Sequence, residues 1–259
     1  MRVLAVQFDL SWHDKQANFC RVEKLLANLP PAAGDLVVLP EMFATGFSIH
    51  VDQIAEGESG PTHAFLSELA RVRHSHVIGG VACRAADGTC YNESLLYDPA
   101  GRLAARYRKL QPFVLGGEGQ AYRAGGEIVV APCGEFSLAQ FVCYDLRFPE
   151  VFRPAVWRGA NLFTVIASWP EAREAHWLAL LRARAIENQA YVVGVNRTGR
   201  DPTLVYRGHS LIVDYQGHTL AAAGEGDEVL LADLDLEPLL AYRRKLPFLA
   251  DMREDFAGR

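Results

Sequence analysis

Three reactive side chains, Glu41, Lys109 and Cys143, each follow an apolar, strand-like stretch of this sequence. A thiol is a strong nucleophile, but at its ordinary pKa only a small fraction of it is ionised at neutral pH. A carboxylate within reach can accept the thiol proton. An ammonium group can stabilise the thiolate and then the oxyanion that forms on an attacked carbonyl. These residue types are therefore suited to nucleophilic attack on a carbonyl carbon.

The same groups could carry out a hydrolysis in two steps through a covalent intermediate. If the attacked group is an amide, ammonia leaves readily only when it is protonated, and Glu41 could return the thiol proton to it. Glu41 could then activate a water molecule against the thioester. The backbone N–H of Tyr144, directly after Cys143, is a candidate second oxyanion donor.

Each of these residues also has an ordinary structural explanation. Cys143 could be a core residue, because free cysteine is among the most buried residue types. Glu41 follows Pro40 and could cap a turn or a helix. Lys109 ends the basic stretch 106–109, which could be a solvated edge. Only the convergence of the three side chains on one pocket separates the two interpretations.

The predicted secondary structure brings two of these residues to the ends of strands. Residues 35–40 contain a short continuous apolar run, typical of a strand that is buried on both faces, and Glu41 follows it. Residues 91–97 and 103–107 are predicted to form a β-hairpin around an Asp-Pro-Ala-Gly turn, with Lys109 just beyond the second arm.

Cys143 is predicted to lie at a corner between a strand and a helix. Residues 135–142 alternate in the manner of a strand, and Pro149 is suited to the first position of a following helix. A side chain at such a corner can be held by the sheet and still face a pocket.

The rest of the chain predicts a mixed α/β architecture in a single domain, residues 1–259, with a core to about 250 and a loose tail at 251–259. Further predicted strands cover residues 3–8, 77–83, 128–132, 161–167, 191–195, 210–215, 219–223 and 229–234. Predicted helices cover residues 15–29, 62–73, 171–188 and 239–248. Because several strands meet in hairpins, a mixed sheet, or two sheets with outer helices, fits better than purely parallel winding. The loop 42–61 is long enough to be functional or mobile.

Composition restricts the possible partners and cofactors. The formal net charge of −5 argues against a nucleic-acid partner, which normally requires a basic face. No stretch reaches the roughly 20 apolar residues of a membrane span, and no signal peptide is evident, so we expect a cytosolic protein. Five cysteines without paired spacing do not predict disulfides, and no Cys-x-x-Cys or His-Glu-x-x-His pattern predicts a zinc site.

Three stretches in a fixed order resemble the signature stretches of the nitrilase, or carbon-nitrogen hydrolase, superfamily. They are Leu-Pro-Glu-Met-Phe-Ala-Thr-Gly-Phe at 39–47, Tyr-Arg-Lys-Leu at 107–110, and Cys-Tyr-Asp-Leu-Arg-Phe-Pro-Glu at 143–150. The resemblance continues through residues 182–189 and 196–197, and it therefore covers nearly the whole chain.

This resemblance implies roles for four residues and a fold. Glu41 would be the general base, Lys109 the oxyanion stabiliser or proton donor, and Cys143 the nucleophile. Glu118 matches a second family glutamate that orients the lysine or helps to position substrate or water; otherwise it is an exposed loop acid. The implied fold is a four-layer α-β-β-α sandwich with mixed sheets. The family usually forms homodimers or larger homo-oligomers and uses no metal or other cofactor.

Two other features are interpreted structurally. Arg147 and Glu187 are predicted to form a buried pair that braces the turn after Cys143. The glycine-rich loop 116–119 lacks the Gly-Lys-Ser/Thr ending of a P-loop and the spacing of a dinucleotide fingerprint, so phosphate binding has little support.

The substrate is suggested by residues 167–177, which resemble the omega-amidase branch of the superfamily. That branch implies hydrolysis of monoamides of the 2-oxoglutaramate or succinamate type, whose distal carboxylate needs a cation or several donors. Arg173 is the candidate cation, although it could be an exposed residue at a helix start. Phe43, Tyr144 and Trp169 are candidates for an apolar wall, although aromatic packing in the core would also explain them.

Other functions are compatible with parts of this pattern. An N-carbamoyl or aliphatic amidase of the same superfamily is the main alternative, and a nitrilase proper is disfavoured because no feature selects an uncharged nitrile. A non-catalytic binding protein is disfavoured because all three reactive residue types are present. A redox sensor would need a resolving cysteine near Cys143, and none is evident.

Overall fold

The computed structural model describes residues 1–253 and contains two six-stranded sheets flanked by helices. The strands are β1 (Arg2–Gln7), β2 (Leu36–Val38), β3 (His76–Arg84), β4 (Cys90–Tyr97), β5 (Leu103–Arg108), β6 (Val130–Cys133), β7 (Phe136–Val142), β8 (Leu162–Ala167), β9 (Tyr191–Asn196), β10 (Thr198–Arg200), β11 (Val205–Arg207), β12 (Leu211–Val213), β13 (Thr219–Ala222) and β14 (Glu228–Asp233). The helices are α1 (Lys15–Leu26), α2 (Val51–Ile54), α3 (Pro61–Arg73), α4 (Glu118–Ala121), α5 (Pro149–Trp157), α6 (Glu174–Asn188) and α7 (Leu236–Lys245). Short 3₁₀ turns cover Val114–Gly116, Cys143–Arg147 and Glu171–Arg173.

Both sheets are mixed, as predicted. The first has the strand order β14-β1-β2-β3-β4-β5, and the second has the order β13-β12-β9-β8-β7-β6. In each sheet three central strands are parallel, β1-β2-β3 and β7-β8-β9, and the outer strands are antiparallel. The parallel strands direct their carboxyl ends to one edge of each sheet, where side chains can converge on a ligand.

The alternation of side chains along the strands explains the layers. In β2, Leu36 and Val38 belong to the core between the sheets, whereas Val37 packs with the helices outside the first sheet. Phe19 of α1 and Leu66 of α3 cover that outer face. Helices α5 and α6 cover the second sheet. The predicted four-layer α-β-β-α sandwich is therefore confirmed.

Several element boundaries differ from the sequence-based expectation. Helix α2 lies inside the predicted loop 42–61, and β10 and β11 form a hairpin that was not predicted. Elements of three or four residues contain too little apolar periodicity to be recognised. The last helix begins and ends three residues earlier than the predicted 239–248. Of the predicted tail, residues 254–259 lie outside the described residues. Within residues 1–253, no helix has the length and apolar character needed to cross a membrane.

Candidate active site

Glu41, Lys109 and Cys143 line one cavity of about 380 Å³. Glu41 follows β2, Lys109 follows β5 and Cys143 follows β7, so the two sheets contribute jointly to the cavity. The side chains of Glu41 and Lys109 are buried, whereas Cys143 is partly exposed. Gly80 of β3 lies directly against the Glu41 backbone, where an added Cβ would stand 2.6 Å from Glu41 Cα. The fold therefore brings together three residues that are far apart in the sequence.

The turn at Cys143 has an unusual backbone. Cys143 has a φ of +46°, a left-handed conformation that is uncommon for a residue with a side chain. The Asp145 carboxylate accepts hydrogen bonds from the Val142 N–H (3.0 Å), the Gln111 N–H (2.9 Å) and the Tyr107 hydroxyl (2.8 Å). It thus joins the turn that carries the cysteine to the segment that carries the lysine. Such strain is often found where a reactive side chain is presented.

A closed polar network surrounds the lysine ammonium. Lys109 Nζ donates to Glu41 Oε1 at 3.0 Å and to both Glu118 oxygens, at 3.0 and 2.8 Å. Asn92 Nδ2 donates to Glu41 Oε1 at 2.7 Å and to Glu118 Oε1 at 2.8 Å. The Phe113 N–H donates to Glu118 Oε2 at 2.6 Å. Glu118 is therefore a buried partner of Lys109 in α4 and not an exposed loop acid.

Asn92 was missed as a site residue by sequence reasoning. It lies in β4, opposite the segment that carries Lys109, and the Lys109 N–H donates to the Asn92 carbonyl at 2.9 Å. The signal that could have found it is a polar residue on the inward face of a predicted hairpin arm, two positions before Ser94.

The charges in the site fix its resting protonation. Burial alone would lower the pKa of Lys109, but the charges of Glu41 and Glu118 outweigh burial and raise that pKa, so Lys109 stays an ammonium ion. Burial and the Glu41 charge raise the pKa of the Cys143 thiol, while Lys109 and the Ser168 N–H act in the opposite direction. The thiol is therefore protonated at rest and needs a base before it can attack.

The segment after β8 contributes backbone donors to the site. The Ser168 N–H donates to Glu41 Oε2 at 2.8 Å. Asn196 fixes this segment, because its Oδ1 accepts the Trp169 N–H at 2.7 Å and its Nδ2 donates to the Trp169 carbonyl at 3.0 Å. Ser168 and Trp169 also line the cavity.

Three of the four predicted substrate-contacting residues, Tyr144, Trp169 and Arg173, line the cavity, but Phe43 does not. Phe43 is fully buried in the outer core of the first sheet, where its ring centre lies 6.1 Å from that of Phe19 and 5.9 Å from that of Phe65. The prediction for Phe43 was wrong because a residue two positions from a site residue can still point into the core when the chain turns.

The neighbouring Phe47 takes the place expected for Phe43. It lines the cavity, and its ring centre lies 5.5 Å from Lys109 Nζ. The aromatic wall of the cavity therefore lies next to the ammonium group.

The predicted pair of Arg147 and Glu187 does not form. Arg147 lines the cavity, with its guanidinium carbon 4.6 Å from the Trp169 ring centre. Glu187 instead accepts from Arg184 Nη1 at 2.9 Å, and Arg184 Nη2 donates to the Leu146 carbonyl at 2.7 Å. Arg184 thus braces the turn after Cys143, and Arg147 is left to face the cavity. Sequence reasoning chose the wrong arginine because spacing alone does not show which way a residue in a 3₁₀ turn points.

The loop of the unpredicted β10–β11 hairpin forms another wall. Asp201, Thr203, Leu204 and Tyr206 from this region line the cavity. The Asp201 carboxylate accepts from the N–H groups of Thr203 and Leu204, both at 2.7 Å, and from the Tyr206 hydroxyl at 2.6 Å. These bonds hold the Asp201 carboxylate within its own loop, whereas Arg147 and Arg173, from the turns after β7 and β8, are cavity groups that can bind an anion.

Comparison with known proteins decides the family. The profile of the carbon-nitrogen hydrolase family matches residues 2–244. The chain belongs to the carbon-nitrogen hydrolase family. As a member it is an enzyme that hydrolyses amides, and the predicted enzyme class is confirmed. Among residues 1–253, no group of three or more His, Cys, Asp or Glu side chains is arranged to hold a metal ion.

Relatives of this carbon-nitrogen hydrolase include two named amidases. The 2-oxoglutaramate amidase of Bacillus subtilis (strain 168) is 32% identical over 98% of each chain. The omega-amidase YafV of Yersinia enterocolitica is 40% identical over 97% of this chain and 96% of its own. A solved relative is the superfamily protein XC1258 from Xanthomonas campestris, with an arsenic adduct in its active site. It is 35% identical and superposes with a TM-score of 0.92, covering 98% of this chain and 97% of its own.

Proposed function

We propose that this carbon-nitrogen hydrolase is an omega-amidase, which releases ammonia from the terminal amide of a small monoamide that carries a distal carboxylate. Candidate substrates are of the 2-oxoglutaramate or succinamate type. The observation that carries the proposal is the placement of two guanidinium groups, Arg147 and Arg173, in the cavity that holds Cys143. The names of the amidase relatives support the same substrate class.

The first chemical step forms the acyl-enzyme. Glu41 accepts the Cys143 proton as the sulfur attacks the amide carbon, and a tetrahedral oxyanion forms. Lys109 and the Tyr144 N–H stabilise that oxyanion. The C–N bond then breaks, and the nitrogen leaves as ammonia with the proton that Glu41 returns to it. A thioester on Cys143 remains.

The second step releases the acid. Glu41 removes a proton from a water molecule, whose oxygen attacks the thioester carbon. The C–S bond breaks, and the proton held by Glu41 returns to the sulfur. One water is consumed and one ammonia is released per turnover. Glu118 acts through Lys109, since its two oxygens hold the ammonium group in place.

The arginines explain the preference for an acid-bearing substrate. A guanidinium group can bind a carboxylate through two parallel N–H donors. Burial lowers the pKa of Arg147, and the charge of Arg173 adds to that effect, so each guanidinium is in the field of the other. A carboxylate in this region would relieve that repulsion. Tyr144 and Trp169 would contact the carbon chain between the two ends of the substrate.

A panel of amides assayed for ammonia release tests this function. We expect succinamate to be turned over with a much higher kcat/KM than propionamide or an N-carbamoyl amino acid. The Cys143→Ala variant should fold normally and release no ammonia, and Glu41→Gln should lose most activity. Higher kcat/KM for the N-carbamoyl amino acid would contradict the substrate proposal, and full activity of Cys143→Ala would contradict the mechanism.

We also propose that the enzyme is a cytoplasmic homodimer or larger homo-oligomer, in line with the superfamily resemblance. Sedimentation velocity of the purified protein tests the assembly, and cell fractionation tests the compartment. A monomer at micromolar concentration, or recovery with membranes, would contradict these two expectations.

A further inference from the structure

Asn92 makes contacts that the mechanism above does not explain, because its amide nitrogen donates hydrogen bonds to two acidic side chains at once. Asn92 is 1% exposed, and both of its acceptors, Glu41 and Glu118, are fully buried. A side-chain NH₂ has two hydrogens, and here each is directed at a different carboxylate oxygen. Lys109 Nζ donates to the same two oxygens. An ammonium and an amide therefore bridge the two acids in parallel.

The orientation of this amide is fixed by its surroundings. If the amide were flipped, its oxygen would face two carboxylate oxygens with no hydrogen between them, which is repulsive. In the observed orientation, Asn92 Oδ1 is buried and has no hydrogen-bond partner among residues 1–253. Leaving a buried acceptor unpaired is unfavourable, so this residue type is a poor choice for packing alone.

The hydrogen-bond donors around Glu41 distinguish its two carboxylate oxygens. Oε1 accepts hydrogen bonds from both Asn92 and Lys109, whereas the donor to Oε2 among residues 1–253 is the Ser168 N–H. The Ser168 N–H also works against burial by lowering the pKa of the Cys143 thiol. Oε2 therefore keeps more of its capacity to accept a proton than Oε1 does. The Asn92 amide holds the carboxylate through Oε1 and leaves Oε2 towards Ser168, which lines the same cavity as Cys143.

We propose that Asn92 is a positioning residue for the general base: its amide, bonded to Glu41 Oε1, holds the carboxylate in the orientation from which the base acts. The inference rests on the proposed role of Glu41 as the base. A hydrogen bond to a carboxylate favours its charged form, so removal of an amide donor from a catalytic base should move the acidic limb of the enzyme's pH profile to higher pH. The ionisable groups that surround Glu41 on the packed elements are Lys109, Glu118, Cys143, Tyr122 and Tyr206.

The test compares two variants of the same strand. Asn92→Ala removes both donors. Ser94→Ala is the matched control, because Ser94 is also buried on β4 and donates at 2.8 Å to Gln140, away from the acids. For each protein, kcat/KM for succinamate and the rate of inactivation by iodoacetamide are measured between pH 5 and 9. Alkylation reports on the thiol directly, so its result does not depend on which amide is the substrate.

For Asn92→Ala we expect the acidic limb of both profiles to move to higher pH, by about one unit, with activity lost most strongly at low pH. Ser94→Ala should keep the wild-type pH profile. A uniform loss at every pH, or an unshifted limb, would overturn the proposal.

If Asn92→Ala does not fold, the isosteric Asn92→Asp variant provides the same test. It replaces the shared amide by a third acid and should also move the limb upward. A profile that superimposes on the wild type would reject the role of Asn92.

Discussion

At the scale of single residues, the site depends on which charges are paired inside the protein. Lys109 forms ion pairs with two acids. The raised pKa of the Cys143 thiol keeps the nucleophile protonated and uncharged in the resting site. The guanidinium groups of Arg147 and Arg173 are not used by the reacting atoms. Their contribution should therefore appear in the binding of a charged substrate.

The first residue-scale prediction concerns Arg147 and Arg173. Each change to alanine should raise KM for succinamate by roughly 10- to 100-fold, because a hydrogen bond to a charged group is worth about 1.5–3 kcal/mol. The value of kcat should change little, and kcat/KM for propionamide should stay near that of the wild type. Steady-state ammonia assays measure both quantities. Equal losses on the two substrates would mean that the arginines do not bind the carboxylate.

The second residue-scale prediction concerns Asp145. Burial raises the pKa of Asp145 to about 6, although its hydrogen-bond donors and Lys109 oppose the shift. An aspartate in the unfolded chain has a pKa near 3.9, so the folded state binds this proton more tightly. Protonation of Asp145 therefore stabilises the folded state at low pH, and this stabilisation is lost as the pH rises through about 6.

The Asp145→Asn variant does not titrate at this position and serves as the reference. Between pH 5 and 7, the free energy of unfolding of the wild type should fall by roughly 1 kcal/mol relative to the variant. Urea denaturation at several pH values measures that difference. If the free energy of unfolding of the wild type instead rose relative to that of the variant between pH 5 and 7, the raised pKa of Asp145 would be refuted.

At the scale of elements, helix α5 holds the turn after Cys143 against the second sheet. Phe152 of α5 is fully buried, with its ring centre 3.9 Å from that of Phe141 in β7 and 5.4 Å from that of Phe163 in β8. The helix is anchored through this ring on the strand that ends at the cysteine. Packing of α5 and geometry of the turn are therefore coupled.

We predict that Phe152→Ala lowers the free energy of unfolding by about 3–5 kcal/mol, since the deletion leaves a cavity in a packed core. The matched control is Val72→Ala on α3, where the side chain is 57% exposed and the cost should stay within about 0.5 kcal/mol. Urea denaturation of both variants at one pH provides the comparison. Similar losses for the two variants would show that α5 is not anchored by this ring.

At the scale of the whole molecule, the sequence predicted the architecture well because strongly patterned elements build it. The buried run before Glu41 and the hairpin before Lys109 both lie where they were expected. The side of the chain on which a residue faces was predicted less well. Phe43 points into the outer core while Phe47 faces the cavity. Arg184, not Arg147, braces the turn.

These errors have a common physical origin. Period-two alternation determines the facing of a residue inside a strand, but it stops at the last residue of that strand. The residues just beyond, in turns and 3₁₀ segments, take their direction from local backbone angles such as the positive φ of Cys143. Asn92 was overlooked for a different reason. The hairpin pattern could have placed it on the inward face, but it does not show its partners, which lie 51 and 26 positions away.

The cavity collects its working parts from widely separated stretches of the chain. The base follows β2, the ammonium follows β5, the sulfur follows β7 and the Ser168 amide follows β8, so no early segment of a nascent chain contains a competent catalyst. Until both sheets have docked, the sulfur is an ordinary thiol without its base. The rate at which ammonia release returns during refolding would therefore report the rate at which the two sheets dock. This measurement needs no spectroscopic label.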